Sequence, residues 1–212
     1  MKYKRLIKLD IKRKIYIHIS KNILEYTIIT ILFLIGIVLG TVYIRNIDIT
    51  QQNEICNYIN NFDTSINNGT KINFSNLLKI SIRNNLLTVI LLGIAGLTVL
   101  GMPLLYVIII LKGFSIGYTI SSIIGVLGFI KGIKFIFSIF FLQNLIIIPS
   151  LIVLAITGVN LYKSIIKKHN RDNIKLEIIK YVIILFISII LNIISSFIET
   201  YISTNIFIWI CT

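Results

Sequence analysis

Long apolar runs alternate along this chain with short stretches that are basic or mixed in charge. About 20 apolar residues in a helix are needed to cross the hydrocarbon core of a bilayer. Ile23–Ile44 meets that requirement, and Tyr181–Ile202 meets it again near the C-terminus. Between Leu86 and Tyr162 the chain is apolar almost without interruption. That stretch of roughly 75 residues has room for three crossings of ~25 residues each. The flanks count the spans independently. Lys2, Lys4, Arg5, Lys8, Lys12, Arg13, Lys14 and Lys21 precede the first apolar run, and Lys163, Lys167, Lys168, Arg171, Lys175 and Lys180 fill Leu161–Lys180. Cytoplasmic flanks carry such an excess of Lys and Arg, so both segments are expected inside. Arg45–Asn85 mixes Asp48, Glu54 and Asp63 with few cations and is expected outside. Passing from that outer loop to the inner one takes an odd number of crossings. One crossing cannot absorb the apolar stretch and five cannot fit, which leaves three.

The pattern therefore predicts an all-α, polytopic integral membrane protein with about five transmembrane helices. Its N-terminus is cytoplasmic and its C-terminus extracytoplasmic. In order, the chain reads as a basic tail (1–21), a first span (22–45), an extracytoplasmic loop with amphipathic helices (46–85), a three-helix membrane core (86–162), a basic cytoplasmic loop (163–180), and a fifth span with a short outer tail (181–212). Inside the core, Lys112-Gly113 is the expected inner turn after a second span Leu86–Leu111. Lys131-Gly132 with Lys134 is the expected outer turn after a third span Phe114–Ile130, and Phe135–Leu161 is the fourth. Trp209 suits the headgroup interface. In the outer loop, Ile55, Tyr58, Ile59 and Phe62 share one helical face, as do Phe74, Leu77, Leu78 and Ile82, with the turn signal Asn67-Asn68-Gly69 between them. Two amphipathic helices follow from this, lying on the membrane, on a partner, or on the protein's own outer face. The sequons at Asn68 and Asn73 are chance matches unless the host glycosylates such loops. Ile23–Ile44 is too long for a signal-peptide core and lacks a small-residue cleavage site, so it reads as a retained span.

Composition agrees with the pattern. Hydrophobic residues make up 56% of the chain and charged residues only 14%, too little polar surface to clothe a water-soluble globule. The net charge of +13 raises nucleic acid as a partner, but the cations border apolar runs, so the lipid bilayer is the expected partner instead. Ile, Asn and Lys are over-used, as in an AT-rich coding sequence, which weakens arguments from any single one of them. Cys56 and Cys211 make no metal or redox motif.

Within the predicted spans, Gly36 and Gly40, Gly113 and Gly117, and Gly128 and Gly132 form G-x-x-x-G pairs. Small residues four apart open a groove for a second helix backbone, serving homo-oligomerisation, a partner, or packing inside the monomer. Gly93, Gly96, Gly101 and Pro103 are expected to make the second span irregular, and Gln143, Asn144 and Pro149 the fourth. Buried amides are costly without partners, so Gln143 and Asn144 are expected to bond to neighbouring helices. Broken helices around polar groups suit a transporter, yet no acidic residue sits in the middle of a predicted span. Glu25 and Glu199 fall near span ends, where snorkelling or interfacial hydration would explain them. His18 and His169 lie in basic segments without a carboxylate or thiol cluster for a metal. The chain carries no G-x-S-x-G, H-E-x-x-H or P-loop, so neither a catalytic site nor a cofactor is expected.

Arg83-Asn84-Asn85-Leu86, Gly93, Gly96, Gly101-Met102-Pro103, Leu111-Lys112-Gly113-Phe114 and Gly117 together resemble the stage II sporulation protein M family. Phe141-Leu142-Gln143-Asn144-Leu145 with Ile148-Pro149 is similar to that family's fourth-span motif, and the basic tail and the first span with Gly36 and Gly40 match as well. The resemblance implies a multi-pass cell-membrane protein of endospore-forming bacteria, placed at the sporulation septum and needed for engulfment. It implies a non-catalytic scaffold for two peptidoglycan hydrolases, stage II sporulation proteins D and P. Gly36, Gly40, Gly101, Pro103, Gly113, Gly117, Gln143, Asn144 and Pro149 are the candidate helix-packing or partner-contact residues. The alternative function is the membrane permease subunit of an exporter, with its ATPase on a separate chain.

Overall fold

A computed structural model describes residues 19–67, 74–98, 101–166 and 171–203. The described chain is helical, running α1 (Ile23–Arg45), α2 (Ile49–Asn67), α3 (Phe74–Leu97), α4 (Gly101–Leu127), α5 (Phe129–Phe135), α6 (Leu142–Ile166) and α7 (Arg171–Phe197). A π-helical segment, Ile136–Phe141, joins α5 to α6, and a second, Ile198–Ser203, extends α7. Among the described residues, five helices are long and apolar enough to cross a membrane: Ile23–Arg45, Ser75–Leu97, Gly101–Leu127, Leu142–Ile166 and Ile174–Tyr201. The five-helix count expected from hydropathy is thus present. The sequons, His18, His169, Trp209 and Cys211 lie outside the described residues.

The breaks between the middle helices fall elsewhere than expected. α4 runs unbroken through Lys112-Gly113, and α3 has already ended at Leu97. The connection begins at Thr98, whose N–H and hydroxyl both donate to the Ala95 carbonyl, at 3.1 and 2.8 Å, and Gly101 N–H then donates to the Thr98 carbonyl. No charge marks this turn, so hydropathy does not register it. Pro103 accordingly does not break the second span. It is the third residue of α4, in the first turn, where the missing N–H has no intrahelical partner to lose. The second amphipathic helix expected in the loop is instead the first part of the α3 span, and Lys79, Arg83, Asn84 and Asn85 lie within that span. Pro149 leaves α6 continuous. The irregularity of that region sits before it, in the π-helical turn at Ile136–Phe141.

α6 is the central helix: 56% of its most apolar window is buried, against 22–33% for the other four spans. In lipid there is no hydrophobic force between helices, so the apolar residues on the outer faces of α1 and α7 are solvated by acyl chains and the bundle is held by fit. The closest fit is between α1 and α4. A Cβ on Gly36 would collide with the Ile110 carbonyl and one on Gly40 with the Phe114 carbonyl. Reciprocally, Cβ atoms on Gly113 and Gly117 would collide with the Phe33 and Ile37 carbonyls. The two G-x-x-x-G pairs therefore face each other inside one chain. Gly128 does a different job: with φ +77° it turns the chain from α4 into α5, and Gly132 then packs against the Ile124 backbone.

Candidate functional site

The two ends of the bundle are built differently. At one end α1 begins, α3 ends, α4 begins, α6 ends and α7 begins. Lys163 ion-pairs with Glu25 there, and Asn160 donates to Asn22 at 2.9 Å. Glu25 is thus held by a specific partner on α6 rather than left to interfacial water. Tyr181, fully buried, is the centre of this end. Its hydroxyl donates to the carbonyls of Leu92 and Gly93 on α3, at 2.8 and 3.1 Å. Its ring occupies the space that a side chain on Gly96 would need and also lies beside Gly158 of α6. Leu92, Leu105, Leu154, Ala155, Ile156 and Val159 pack around it with essentially no exposure.

At the other end the bundle is hollow. A cavity of about 710 Å³ is walled by α2, α3, α4, the end of α5, α6 and the two π-helical segments. Its apolar wall includes Ile55, Ile59, Leu77, Ile116, Ile123 and Phe140. Its polar wall includes Asn85, Lys112, Ser122, Gln143, Asn144, Glu199 and Thr200, with Glu54 contributed by α2. Ser81 donates to the Glu199 carboxylate, and Gln143 Nε2 donates to the same oxygen at 2.6 Å. Asn85 donates to Ser196 at 3.0 Å, and Ser195 donates to the Gln143 carbonyl at 3.0 Å. Gln143 thus bonds across helices as expected. Asn144 does not: its amide donates to the Phe140 carbonyl one turn back, at 2.8 Å.

Glu199 is therefore no snorkelling side chain. It is the hub of a hydrogen-bonded set joining α3, α6 and the extension of α7. Lys112 lies near the midpoint of α4, where a charge is expensive unless it has company or water. Its stem reaches the cavity, within electrostatic range of Glu199. Sequence alone gives Glu199 an interfacial explanation and puts Lys112 at a turn, so neither is expected in a cavity. The wider polar set was missed too, though a signal for it exists. Ser188, Asn192, Ser195, Ser196, Glu199 and Thr200 recur at helical spacing within an apolar run, a polar stripe on one face of α7 and its extension. The serines, Asn192 and Thr200 are all buried. Two π-helical turns in contact beside the same cavity add a second signal, because such turns concentrate at functional sites.

Of the remaining predicted residues, Gly36, Gly40, Gly113 and Gly117 form the α1–α4 contact away from the cavity, and Gly101 and Pro103 begin α4 at the Tyr181 end. Pro149 is exposed on α6. Cys56 is half-buried on α2. Among the described residues no three of His, Cys, Asp and Glu are grouped as a metal site would need.

Five long apolar helices among the described residues are compatible with a polytopic α-helical membrane protein. The family model for stage II sporulation protein M matches residues 29–204, and the chain belongs to that family. It is thereby a sporulation-related membrane protein, of a family not known for catalysis. No curated protein and no solved structure matches the chain.

Proposed function

We propose that this chain is a non-catalytic membrane scaffold for the septal peptidoglycan-degrading machinery during engulfment in endospore formation. The observation that carries the reading is the family match, which spans nearly all of the helical bundle. On this reading the N-terminus lies in the cytoplasm, as the basic segments at 1–21 and 163–180 favour, and the Glu199 end faces outward. α2 then stands at the outer surface, beside the wall. Stage II sporulation proteins D and P are the proposed enzyme partners and the sporulation septum is the proposed location. The test is a deletion strain: engulfment stalls and both hydrolases disperse from the septum, and both defects are restored by the intact chain. Normal engulfment with both hydrolases in place would overturn the proposal. The orientation is tested separately, by labelling Cys56 with a membrane-impermeant thiol reagent in intact cells. Reaction only after lysis would reverse the topology.

One observation favours a second reading, a permease subunit of an exporter. Lys112 and Glu199 bring opposite charges to one cavity within the bundle, the arrangement that broken-helix transporters use for polar substrates. Flux into proteoliposomes that is lost on Gln143→Ala would support it, and the absence of flux with a co-purified ATPase present would remove it.

A further inference from the structure

We infer that the cavity at the Glu199 end is a binding site for one molecule of a zwitterionic aminophospholipid, with Lys112 taking the phosphate and Glu199 the primary ammonium. The inference goes beyond the scaffold role and does not depend on it.

Four observations point there. First, the volume of about 710 Å³ is that of a ligand site rather than a packing fault. Second, its charges are of both signs: Lys112 on α4, with carboxylates at Glu199 and, from α2, Glu54. Lys112 has no ion pair or hydrogen bond among the described residues and only the longer-range attraction of Glu199. A ligand carrying one anionic and one cationic group satisfies both walls, whereas a simple anion would meet two carboxylates and a simple cation would meet Lys112. Third, beside these polar groups the wall carries a large apolar part, including Ile59, Leu77, Ile116, Ile123 and Phe140. A small water-soluble zwitterion would leave that surface against water. A lipid would cover it with its glycerol and first acyl carbons. Fourth, the rim carries Ile80 and Asn84 of α3 and Ser115 of α4, all exposed, and Ser115 lies on a membrane-spanning helix. On this proposal a lipid enters from the bilayer past these exposed residues of α3 and α4.

Glu199 lines the cavity with a carboxylate, an acceptor-only group when ionised. Ser81 and Gln143 orient it by donating to a single oxygen. An ammonium with N–H donors suits this carboxylate; a quaternary ammonium has none to give. The site should therefore distinguish phosphatidylethanolamine from phosphatidylcholine by hydrogen bonding and from phosphatidylglycerol by charge.

Native mass spectrometry of the full chain, delipidated in a nonionic detergent and titrated with these three lipids and with phosphoethanolamine, tests the inference. Phosphatidylethanolamine should add as one molecule per chain, at about tenfold lower concentration than either other lipid, as the loss of a charge-assisted hydrogen bond dictates. Lys112→Gln should weaken all three lipids about tenfold. Glu199→Gln should abolish the preference for phosphatidylethanolamine over phosphatidylglycerol. Lys79→Gln, at an exposed lysine outside the cavity, should change nothing. Equal retention of the three lipids by the wild-type chain would overturn the inference, and that arm needs no variant to fold. Displacement of lipid by phosphoethanolamine at equal concentration would overturn it in favour of a solute site. A peptide recovered in the cavity in place of lipid would also overturn it.

Discussion

The Tyr181 end and the Glu199 end of the bundle use the same five helices to opposite effect. At the Tyr181 end glycines and buried aliphatic side chains let the helices meet closely, and the buried tyrosine hydroxyl is hydrogen-bonded to α3. At the Glu199 end a cavity separates the helices, and Ser81 of α3 and Gln143 of α6 converge on the Glu199 carboxylate. The contrast teaches where stability and function are divided. Close backbone approach supplies dispersion that lipid cannot supply, so the closed end and the α1–α4 seam anchor the fold. The hollow end gives up that packing and retains buried polar groups, which have a use only if something binds or passes there.

Substitutions should separate the two ends, most strongly at the seam. Gly117→Leu should abolish recovery of a monodisperse folded protein. Even Gly117→Ala should cost on the order of 2–3 kcal/mol in unfolding from mixed micelles, because its Cβ meets the Ile37 carbonyl rather than a movable side chain. Gly125→Ala is the matched control: nothing lies within 4 Å of its Cβ, and stability should hold within about 0.5 kcal/mol. Equal losses at the two positions would refute the α1–α4 contact.

A smaller effect is expected at the centre of the closed end. Tyr181→Phe keeps the ring in place and removes the hydrogen bonds to Leu92 and Gly93, for a loss of about 1 kcal/mol. The corresponding change at the hollow end, Ser195→Ala, removes one interhelical bond to the Gln143 carbonyl and should cost about 0.6 kcal/mol, the usual worth of such bonds in membrane bundles. A Ser195→Ala loss larger than that of Tyr181→Phe would invert the comparison. Least affected should be Lys180→Gln. Its pair with Glu177 lies one turn apart on a lysine side chain that is 59% exposed, and about 0.3 kcal/mol is expected, falling with added salt.

The helix count was legible because it rests on the length of apolar runs, which the bilayer sets directly. The two ends of the middle region were not. A turn in a membrane protein needs no charge when a threonine side chain and a glycine close it, and Thr98 with Gly101 do so. A charge in turn need not mark a turn. Lys112 reads as a boundary in one dimension but points into a cavity in three. Moving that boundary shifts the next two spans and brings Arg83, Asn84 and Asn85 within the long apolar helix α3. The glycine pairs could be recognised as contact surfaces, but spacing alone does not say what they contact. Only the fold brings Gly36 and Gly40 to Gly113 and Gly117. For the cavity, Gln143 stood out because an amide interrupts an apolar run. Its partner Glu199 lies near the end of an apolar run, where interfacial hydration suffices to explain it, and the polar stripe on α7 scatters serines, Asn192 and Thr200 through residues that are otherwise strongly apolar.

The division of the bundle into a closed and a hollow end is tested most directly by thiol accessibility in open membranes. With Cys56 and Cys211 replaced by serine, a hydrophilic maleimide is applied to chains carrying Thr119→Cys, Ser122→Cys or Ala155→Cys. Thr119 and Ser122 line the cavity, and Ala155 lies in the closed core with no exposed surface. The first two thiols should react within minutes and be protected by added phosphatidylethanolamine, while the third stays unmodified until the protein is denatured. Reaction at all three positions alike, or at none, would contradict the account.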